Sequence, residues 1–265
     1  MRRLRWFFVL FLCLLPVGVY MFWIEPGTLK TTVLDFGQPK SEGSIKIVYF
    51  ADLHLYRWSR LHDRLLKTIA DQRPDCIFFG GDALAKKTNV QDLENFFTQL
   101  AKVAPVYAIF GNWEDEAPTH MIQRYQRLGI TLIEKDTQLI DVRGITLGVT
   151  GLQSHYYLRQ TKHLELLAEA NWRILLIHAP NRLEQYPEFY TRFDLVLAGH
   201  THGGQYYIPP FTQTVLKIIG NGALWFRGQY RAKETTVYVT NGVGQWFPGR
   251  LFSTPEIVVF SLPPR

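Results

Sequence analysis

The chain has 265 residues, of which 47% are hydrophobic and 20% are charged, and this composition excludes an intrinsically disordered protein. Without its N-terminal segment, the chain has the length of a single domain with a substantial core. The formal net charge is +6, which suits an anionic substrate or a membrane surface, and which a solvated basic face explains equally well. Two cysteines, Cys13 and Cys76, are too few for a disulfide framework.

The N-terminal stretch 6–24 contains no charged residue. At about 1.5 Å per residue, a helix of this length is just long enough to cross the hydrocarbon core of a bilayer. Three arginines at positions 2, 3 and 5 precede it, and the positive-inside rule places the N-terminus in the cytoplasm and the rest of the chain outside. The alternative is a cleaved signal peptide, but no small-x-small cleavage site follows. We therefore predict an uncleaved anchor at 1–24, a linker at 25–44 and a folded domain at 45–265.

From residue 45 onwards, apolar strands alternate with amphipathic helices, which predicts an α/β domain. The predicted elements are strand 45–50, helix 60–70, strand 76–79, helix 92–103, strand 106–110, helix 119–128, a strand-rich section 130–153, helix 164–170, and strands 173–177, 195–198, 236–239 and 257–262. Five of these strands end at a polar side chain of a type that binds metals. Because ligands bind outside the carboxyl edge of open α/β sheets, we expect these side chains to meet.

The first two motifs supply carboxylates. Asp52 and His54 are two residues apart, so in an extended segment they point to the same side and reach one metal. Asp82 follows two glycines, which permit a tight turn, and its two oxygens are able to bridge two cations. Taken alone, Asp52 and His54 form a short and common pattern, and Asp82 is explained equally well as a turn former or helix cap.

The remaining motifs supply an amide and three imidazoles. Asn112 offers a neutral oxygen ligand after Gly111, and His178 follows an apolar strand. His200 and His202 are separated by one residue among glycines, so they present two imidazoles to one place. Each histidine alone is more simply a packing or surface residue. The full set, in this order and at strand ends, favours a metal centre.

These motifs resemble the calcineurin-like metallophosphoesterase family, whose pattern is DxH, GD, GNH, H and GHTH. The resemblance runs from about Ile45 to the C-terminus. Segments 227–230, 241–244 and 248–256 are similar to a subgroup of small membrane-associated bacterial phosphodiesterases. The resemblance implies a four-layer α/β/β/α sandwich, here with one N-terminal transmembrane helix. Together with the uncharged run 6–24, it predicts a single-pass protein of the bacterial inner membrane, with its catalytic domain on the extracytoplasmic side by the positive-inside rule.

The resemblance further implies a hydrolase with two divalent metal ions. The implied ligands are Asp52, His54, Asp82 and His202 for the first metal, and Asp82, Asn112, His178 and His200 for the second. Mn, Fe and Zn all suit such nitrogen and oxygen ligands. In this family a hydroxide bridging the metals attacks phosphorus, which makes Asp82, Asn112 and His200 the implied catalytic residues.

Trp113 departs from the family pattern, which usually has histidine after the asparagine. Indole has no titratable proton, and loss of general acid catalysis typically costs about 10²–10⁴ in rate. An alkoxide leaves badly without a proton, whereas a phosphate, with a second pKa near 6, leaves well. Trp113 therefore favours pyrophosphate bonds or activated esters, and a nucleotide-lipid pyrophosphatase of the UDP-diacylglucosamine type. The alternative function is that of a general phosphodiesterase. The alternative role of Trp113 is that of a packing residue without a part in the reaction.

The expected partners are an anionic phosphorylated substrate, including a lipid-linked one, and the membrane. Trp113 and Arg250 are the candidate substrate contacts. The apolar stretch 206–226 predicts either a packed lid or a surface for acyl chains or the bilayer. No nucleic acid is expected, because no basic and aromatic track is evident. The rival from another class is a non-catalytic metal-binding membrane protein with a decayed site.

Overall fold

Two six-stranded sheets form the domain in the computed structural model, which describes residues 12–36, 43–116, 118–218 and 225–265. The first sheet has the order β1 (Lys30–Asp35), β12 (Glu256–Leu262), β2 (Ile45–Phe50), β3 (Cys76–Phe79), β4 (Val106–Ala108) and β5 (Thr131–Leu132). The second has the order β10 (Gly228–Ala232), β11 (Thr235–Val239), β9 (Leu195–Ala198), β8 (Trp172–Ala179), β7 (Ile145–Ser154) and β6 (Asp136–Val142).

The strands that lead to the predicted ligands run parallel within each sheet. β2, β3, β4 and β5 are parallel neighbours, and so are β7, β8, β9 and β11. All four residues of β3 and of β9 are buried, as expected for strands covered on both faces. Their carboxyl ends therefore lie at one edge of each sheet.

A buried apolar layer joins the two sheets, and it includes Ile47, Phe78, Trp172 and Leu197. Helices α1 (Arg60–Gln72), α2 (Val90–Ala101) and α3 (Pro118–Arg127) accompany the first sheet. Ser59 precedes α1 as its N-cap and forms a capping box with His62, and the helix buries the apolar stripe of Leu65 and Ile69.

The outer side of the second sheet carries a thinner helical layer. It is made of the 3₁₀ segments His155–Gln160, Leu164–Glu169 and Leu183–Gln185 and of the one-turn helix α4 (Pro187–Tyr190). The two-sheet α/β architecture agrees with the expected sandwich. The remaining helix, α5 (Phe211–Ile218), follows the last of the predicted metal motifs.

Three predictions of local structure differ from what is observed. Segment 164–170 is a 3₁₀ helix instead of an α-helix. His178 lies inside β8, one residue before its end, instead of after the strand. The predicted linker 25–44 contains β1, which pairs in parallel with β12 and covers an edge that is otherwise unpaired. β1 is a half-exposed edge strand with no buried residue, so its sequence lacks the apolar signal of the inner strands.

The predicted anchor lies partly outside the described residues, which begin at position 12. Residues 12–19 are α-helical, and they continue into a π-helical segment, Tyr20–Ile24, and a 3₁₀ segment, Glu25–Gly27. Within the described ranges no helix is both long and apolar enough to cross a membrane. Cys13 is exposed, Cys76 is buried, and neither forms a disulfide.

Candidate metal centre

The seven predicted ligands converge where the carboxyl edges of the two sheets meet. The first sheet contributes Asp52 and His54 after β2, Asp82 after β3 and Asn112 after β4; the second contributes His178 from β8 and His200 and His202 after β9. Most of these side chains are buried, and His200 and Asn112 retain more exposure.

Two groups of potential ligands are formed. Asp52, His54 and His202 bring ligand atoms within 4.8 Å of one another, and Asp82, His178 and His200 do the same. Nε2 of His54 is 3.2 Å from Nε2 of His202.

Asp82 lies between the two groups, and Asn112 lies beside the second. Oδ2 of Asp82 is 3.5 Å from Nε2 of His54 and 3.3 Å from Nε2 of His178. The amide oxygen of Asn112 is 3.2 Å from Nε2 of His178 and 2.9 Å from Nδ1 of His200. The two groups therefore share Asp82 as a potential bridge.

The hydrogen bonds behind two histidines show that these residues fit a cation. Nδ1 of His54 lies 2.8 Å from the Leu84 carbonyl, and Nδ1 of His178 lies 2.8 Å from the Gly80 carbonyl. A carbonyl only accepts, so each Nδ1 carries a proton, and in the neutral ring each Nε2 presents a lone pair. Those lone pairs face a carboxylate oxygen, which also only accepts. A divalent cation between such atoms turns mutual repulsion into coordination.

Burial and charge set the protonation of the second group. Burial raises the pKa of Asp82, but the charge and hydrogen bond of His178, the charge of His54 and the Trp113 N–H together outweigh it and lower that pKa to about 2. Burial lowers the pKa of His178, but Asp82 and Asp52 outweigh it and raise that pKa to about 10. The buried Asp82 carboxylate is therefore stabilised by a positive charge beside it, which is either a proton on His178 or a metal ion.

Burial shifts the pKa values of the other members and keeps His200 and His202 in neutral form. Burial raises the pKa of Asp52 to about 7, against the opposing charge of His178. Burial lowers the pKa of His200 to about 4 and that of His202 well below its usual value. Neutral imidazole is the form that binds metals. Nδ1 of His202 is also buried without a hydrogen-bond partner among the described residues.

The backbone at the site is strained. Asp52, His54, Asp82, His200 and His202 all have φ between 40° and 70°, a left-handed conformation that non-glycine residues rarely adopt. Asp52 and His54 therefore do not converge because an extended segment alternates its side chains, as predicted. They converge because the chain turns at each of them.

Glu114 orders two of the ligand loops, a role that the sequence did not reveal. Its fully buried carboxylate accepts hydrogen bonds from the backbone N–H groups of Asp82, Ala83, Leu84 and Gly111, at 2.7–3.1 Å. Gly111 lies so close to Asp82 that an added Cβ would overlap that carboxylate. The signal in the sequence from which this role could have been inferred is the acidic residue that directly follows Gly111-Asn112-Trp113.

Trp113 lies at the first group. Its ring meets the His54 imidazole edge-on, with centroids 5.6 Å apart, and its backbone N–H donates to Oδ1 of Asp82 at 3.0 Å. The indole is only partly buried, so one part of it still borders solvent. It remains a candidate substrate contact.

Arg250 does not fit its predicted role as a substrate contact. The side chain is fully buried, and its guanidinium donates to the backbone carbonyls of Asn241, Gly244 and Ser253. These carbonyls belong to loops that hold the ligands: the Gly244 N–H donates to the Asp52 carbonyl at 2.6 Å, and the Ser253 hydroxyl donates to the His202 carbonyl at 2.6 Å. Arg250 therefore positions the first group from behind.

The N-terminal segment supports the same loop. The carboxylate of Glu25, 1% exposed, accepts from the Phe252 N–H at 2.8 Å and from the Thr254 hydroxyl at 3.0 Å. The Arg250 N–H donates to the Met21 carbonyl at 2.9 Å. Residues 21–25, which were predicted to belong to the anchor and the linker, thus form part of the scaffold of the site.

Comparisons with known proteins identify relatives of this chain. Residues 45–204 match the family described as calcineurin-like phosphoesterase. The chain is 29% identical to the phosphodiesterase YaeI of Escherichia coli, with 92% of each chain covered. It is 31% identical to the uncharacterized metallophosphoesterase Cj0846 of Campylobacter jejuni, over 89% of this chain but only 63% of that relative's length.

Solved structures share the fold at low sequence identity. The sulfate thiohydrolase SoxB of Thermus thermophilus matches with a TM-score of 0.56 and 14% identity, over 86% of this chain and 58% of that chain. The protein TT1561, also of Thermus thermophilus, matches with a TM-score of 0.50 and 14% identity, over 76% of this chain and 90% of that chain. At such identity these likenesses concern the fold alone.

Divalent metal ions are expected to stabilise the protein, because they relieve the repulsion around Asp82. At a free concentration about 100 times Kd, each ion adds about 2.7 kcal/mol to the free energy of unfolding. Calorimetry of chelated and Mn-loaded protein, together with elemental analysis, measures this. Asp82→Asn should lose bound metal, whereas Asp75→Asn, which alters a carboxylate paired with Arg143 outside the site, should not. No metal-dependent rise in Tm and fewer than two bound ions would favour the non-catalytic rival.

Glu25→Ala is expected to destabilise the protein and to loosen the first group of ligands. It leaves the Phe252 N–H and the Thr254 hydroxyl without their acceptor, which costs about 1–3 kcal/mol. Denaturant unfolding measures the cost, and electron paramagnetic resonance during Mn²⁺ titration distinguishes a coupled metal pair from a single ion. Glu188→Ala, at an exposed position, serves as the control. An unchanged coupled signal and unchanged stability would refute this role for Glu25.

Proposed function

Because this chain belongs to the calcineurin-like phosphoesterase family and is a metal-dependent phosphoesterase, we propose that it hydrolyses phosphoanhydride or activated phosphodiester bonds whose leaving group departs without a proton. The sharper form of this proposal is a pyrophosphatase for a nucleotide-linked or lipid-linked substrate. The main support for this proposal is the position of Trp113, which follows Asn112 in the chain and lies at the first group of ligands.

The charge arrangement supports hydrolysis at phosphorus. When bound by the two groups, divalent ions would lower the pKa of a water molecule and neutralise phosphoryl charge. Asp82 separates the groups and faces both, and Asn112 adds an amide oxygen at the second group. Glu114, through four backbone N–H groups, keeps the loops of Asp82 and Asn112 together.

Trp113 supports the choice of bond. Its indole carries no titratable proton, and the neighbouring His54 has Nδ1 engaged by the Leu84 carbonyl and Nε2 facing the ligand cluster. Neither ring is therefore free to protonate an alkoxide. The indole face is apolar and suits stacking on a nucleobase or a sugar.

A general phosphodiesterase is the second candidate, and the likeness to YaeI favours it, since that relative is named a phosphodiesterase. The two candidates share the metal centre and differ in the leaving group. Turnover of a simple alkyl diester therefore separates them.

We further propose that the protein is held at the inner membrane by residues 1–24, with the domain on the extracytoplasmic side. The uncharged run 6–24 and the three arginines before it support this proposal. The side matters for the substrate, because nucleotide-linked lipid precursors are usually cytoplasmic, so an extracytoplasmic domain would favour the lipid-linked over the nucleotide-linked form of the proposal.

The Mn-loaded wild-type protein is expected to hydrolyse UDP-diacylglucosamine or a nitrophenyl phosphodiester faster than a simple alkyl diester. Trp113→His is expected to raise alkyl diester turnover, by at most about 10²–10⁴, because it supplies a proton donor. Trp113→Phe is the matched control, since it keeps an aromatic ring and adds no acid. Product release measured across this panel decides the matter, and a wild-type preference for the alkyl diester would overturn the proposed bond class.

Reporter fusions at the C-terminus test the proposed side of the membrane. Alkaline phosphatase, which folds outside the cytoplasm, should be active at this position, and green fluorescent protein exported in the same way should stay dark. A fusion that begins at residue 25 lacks the apolar run and serves as the control. The reverse pattern would place the domain in the cytoplasm.

A further inference from the structure

Exposed apolar side chains are carried by three segments that lie near the loops of the first group of ligands. They are Phe22, Trp23, Ile208, Phe211, Trp246 and Phe252, which we call the aromatic face. Trp23, Phe211 and Trp246 are each at least 65% exposed. Exposed apolar residues occurring singly are ordinary, but a connected group of this kind marks an interaction surface.

Direct contacts connect the three segments that carry this face. The Tyr206 and Phe247 rings lie 5.0 Å apart, and the Tyr207 N–H donates to the Leu251 carbonyl at 2.7 Å, which joins segment 206–211 to segment 246–252. Tyr20 lies 6.4 Å from Phe252, and Gly249 packs against the Phe22 ring, which joins the N-terminal helix to the same loop.

The aromatic face begins next to the metal centre. Phe252 precedes Ser253, whose hydroxyl donates to the carbonyl of His202. On segment 244–246, the Gly244 N–H donates to the carbonyl of Asp52, and Trp246 follows two residues later. Whatever covers this face therefore lies against the loops that hold the first group of ligands.

The charge on this face suits phospholipid. Segments 205–216 and 244–253 contain no acidic residue, and the carboxylate of Glu25 is buried. Arg227 holds its guanidinium 4.1 Å above the Tyr207 ring and donates to the Phe252 carbonyl at 3.0 Å. Aromatic rings with a basic residue are typical of surfaces that sit at the boundary between headgroups and acyl chains.

The neighbouring helix decides between a bilayer and a second protein. Eight large apolar side chains at positions 12, 14, 15, 17, 19 and 22–24 are 40–73% exposed, so they lie all around this helix and not along one stripe. A helix that is apolar on all sides calls for an apolar environment on all sides. The apolar sequence continues back to residue 6. The end of this helix docks on loop 249–252, so its surroundings reach the aromatic face.

We propose that the aromatic face is a bilayer-contact surface, which holds the metal centre close to the lipid headgroups. Trp246 and Phe252 insert at the boundary between headgroups and acyl chains, and Arg227 lies at the level of the phosphates. A consequence, which rests on the proposed function, is that the enzyme favours a phosphoester carried by a lipid in the membrane over the same bond in solution.

Site-specific labelling tests the contact in the full chain. Cys13→Ser removes the exposed thiol and Cys76 is buried, so an environment-sensitive fluorophore attaches only at an added cysteine. The added cysteine is Trp246→Cys or, as the control, Tyr156→Cys, a position that is 75% exposed and whose ring contacts His155. In vesicles of phosphatidylethanolamine and phosphatidylglycerol, the label at 246 should shift to the blue and be quenched by brominated acyl chains, and the label at 156 should not. A label at 246 that is not quenched overturns the proposal. A blue shift without quenching also overturns it and would indicate that a second protein copy covers the face.

Activity measured on the same samples separates this inference from the proposed function. The double variant Trp246→Ser, Phe252→Ser should lower turnover of a vesicle-borne phosphodiester by at least about tenfold, because tenfold weaker binding to the membrane removes most of the enzyme from its substrate. Turnover of a soluble nitrophenyl diester should stay unchanged. Tyr156→Ser should change neither. Equal losses on both substrates would refute the bilayer contact. No turnover of any phosphoester by metal-loaded wild type would refute the proposed function and leave the labelling result to stand alone.

Discussion

Oδ2 of Asp82 faces Nε2 of His54 on one side and Nε2 of His178 on the other, at 3.5 and 3.3 Å, in a place where almost no surface is exposed. Both imidazoles have their proton committed to a backbone carbonyl, so three electron-rich atoms meet. This meeting is tolerable only with positive charge between the atoms. The need for positive charge, from a proton or a metal ion, is therefore built into the folded chain, and the family relationship favours the metal ion.

Holding these atoms together requires support from several layers of the fold. Five ligand-type residues have left-handed backbone conformations, each of which costs free energy unless its surroundings enforce it. Glu114 supplies four hydrogen bonds to the loops of the first sheet, and Arg250 supplies hydrogen bonds to the loops that hold Asp52 and His202. Both are buried ionic groups whose partners are backbone atoms, which makes them positioning residues and not substrate contacts.

The N-terminal segment links the metal centre to the proposed membrane anchor. Glu25 and the Met21 carbonyl bind the same loop that carries Arg250 and Phe252, and the exposed apolar helix precedes them directly. Attachment at a membrane and the geometry of the first ligand group would then depend on one stretch of chain. Trp113 contacts His54 and bears on the proposal of which bond is cleaved.

The sequence by itself determined the α/β order, most strands to within two residues, and all seven residues that converge, because apolar strand runs and short polar motifs are local signals. It did not reveal β1, since an edge strand carries little apolar pattern, or the left-handed turns at Asp52 and His54, since backbone conformation there is imposed by neighbouring loops. It misplaced Arg250, because exposure depends on what packs around a side chain. Only the tertiary structure showed that Glu25 and Glu114 bind distant loops, and that Trp246, Phe252 and the N-terminal helix share one face, because these relations join residues that are far apart along the chain.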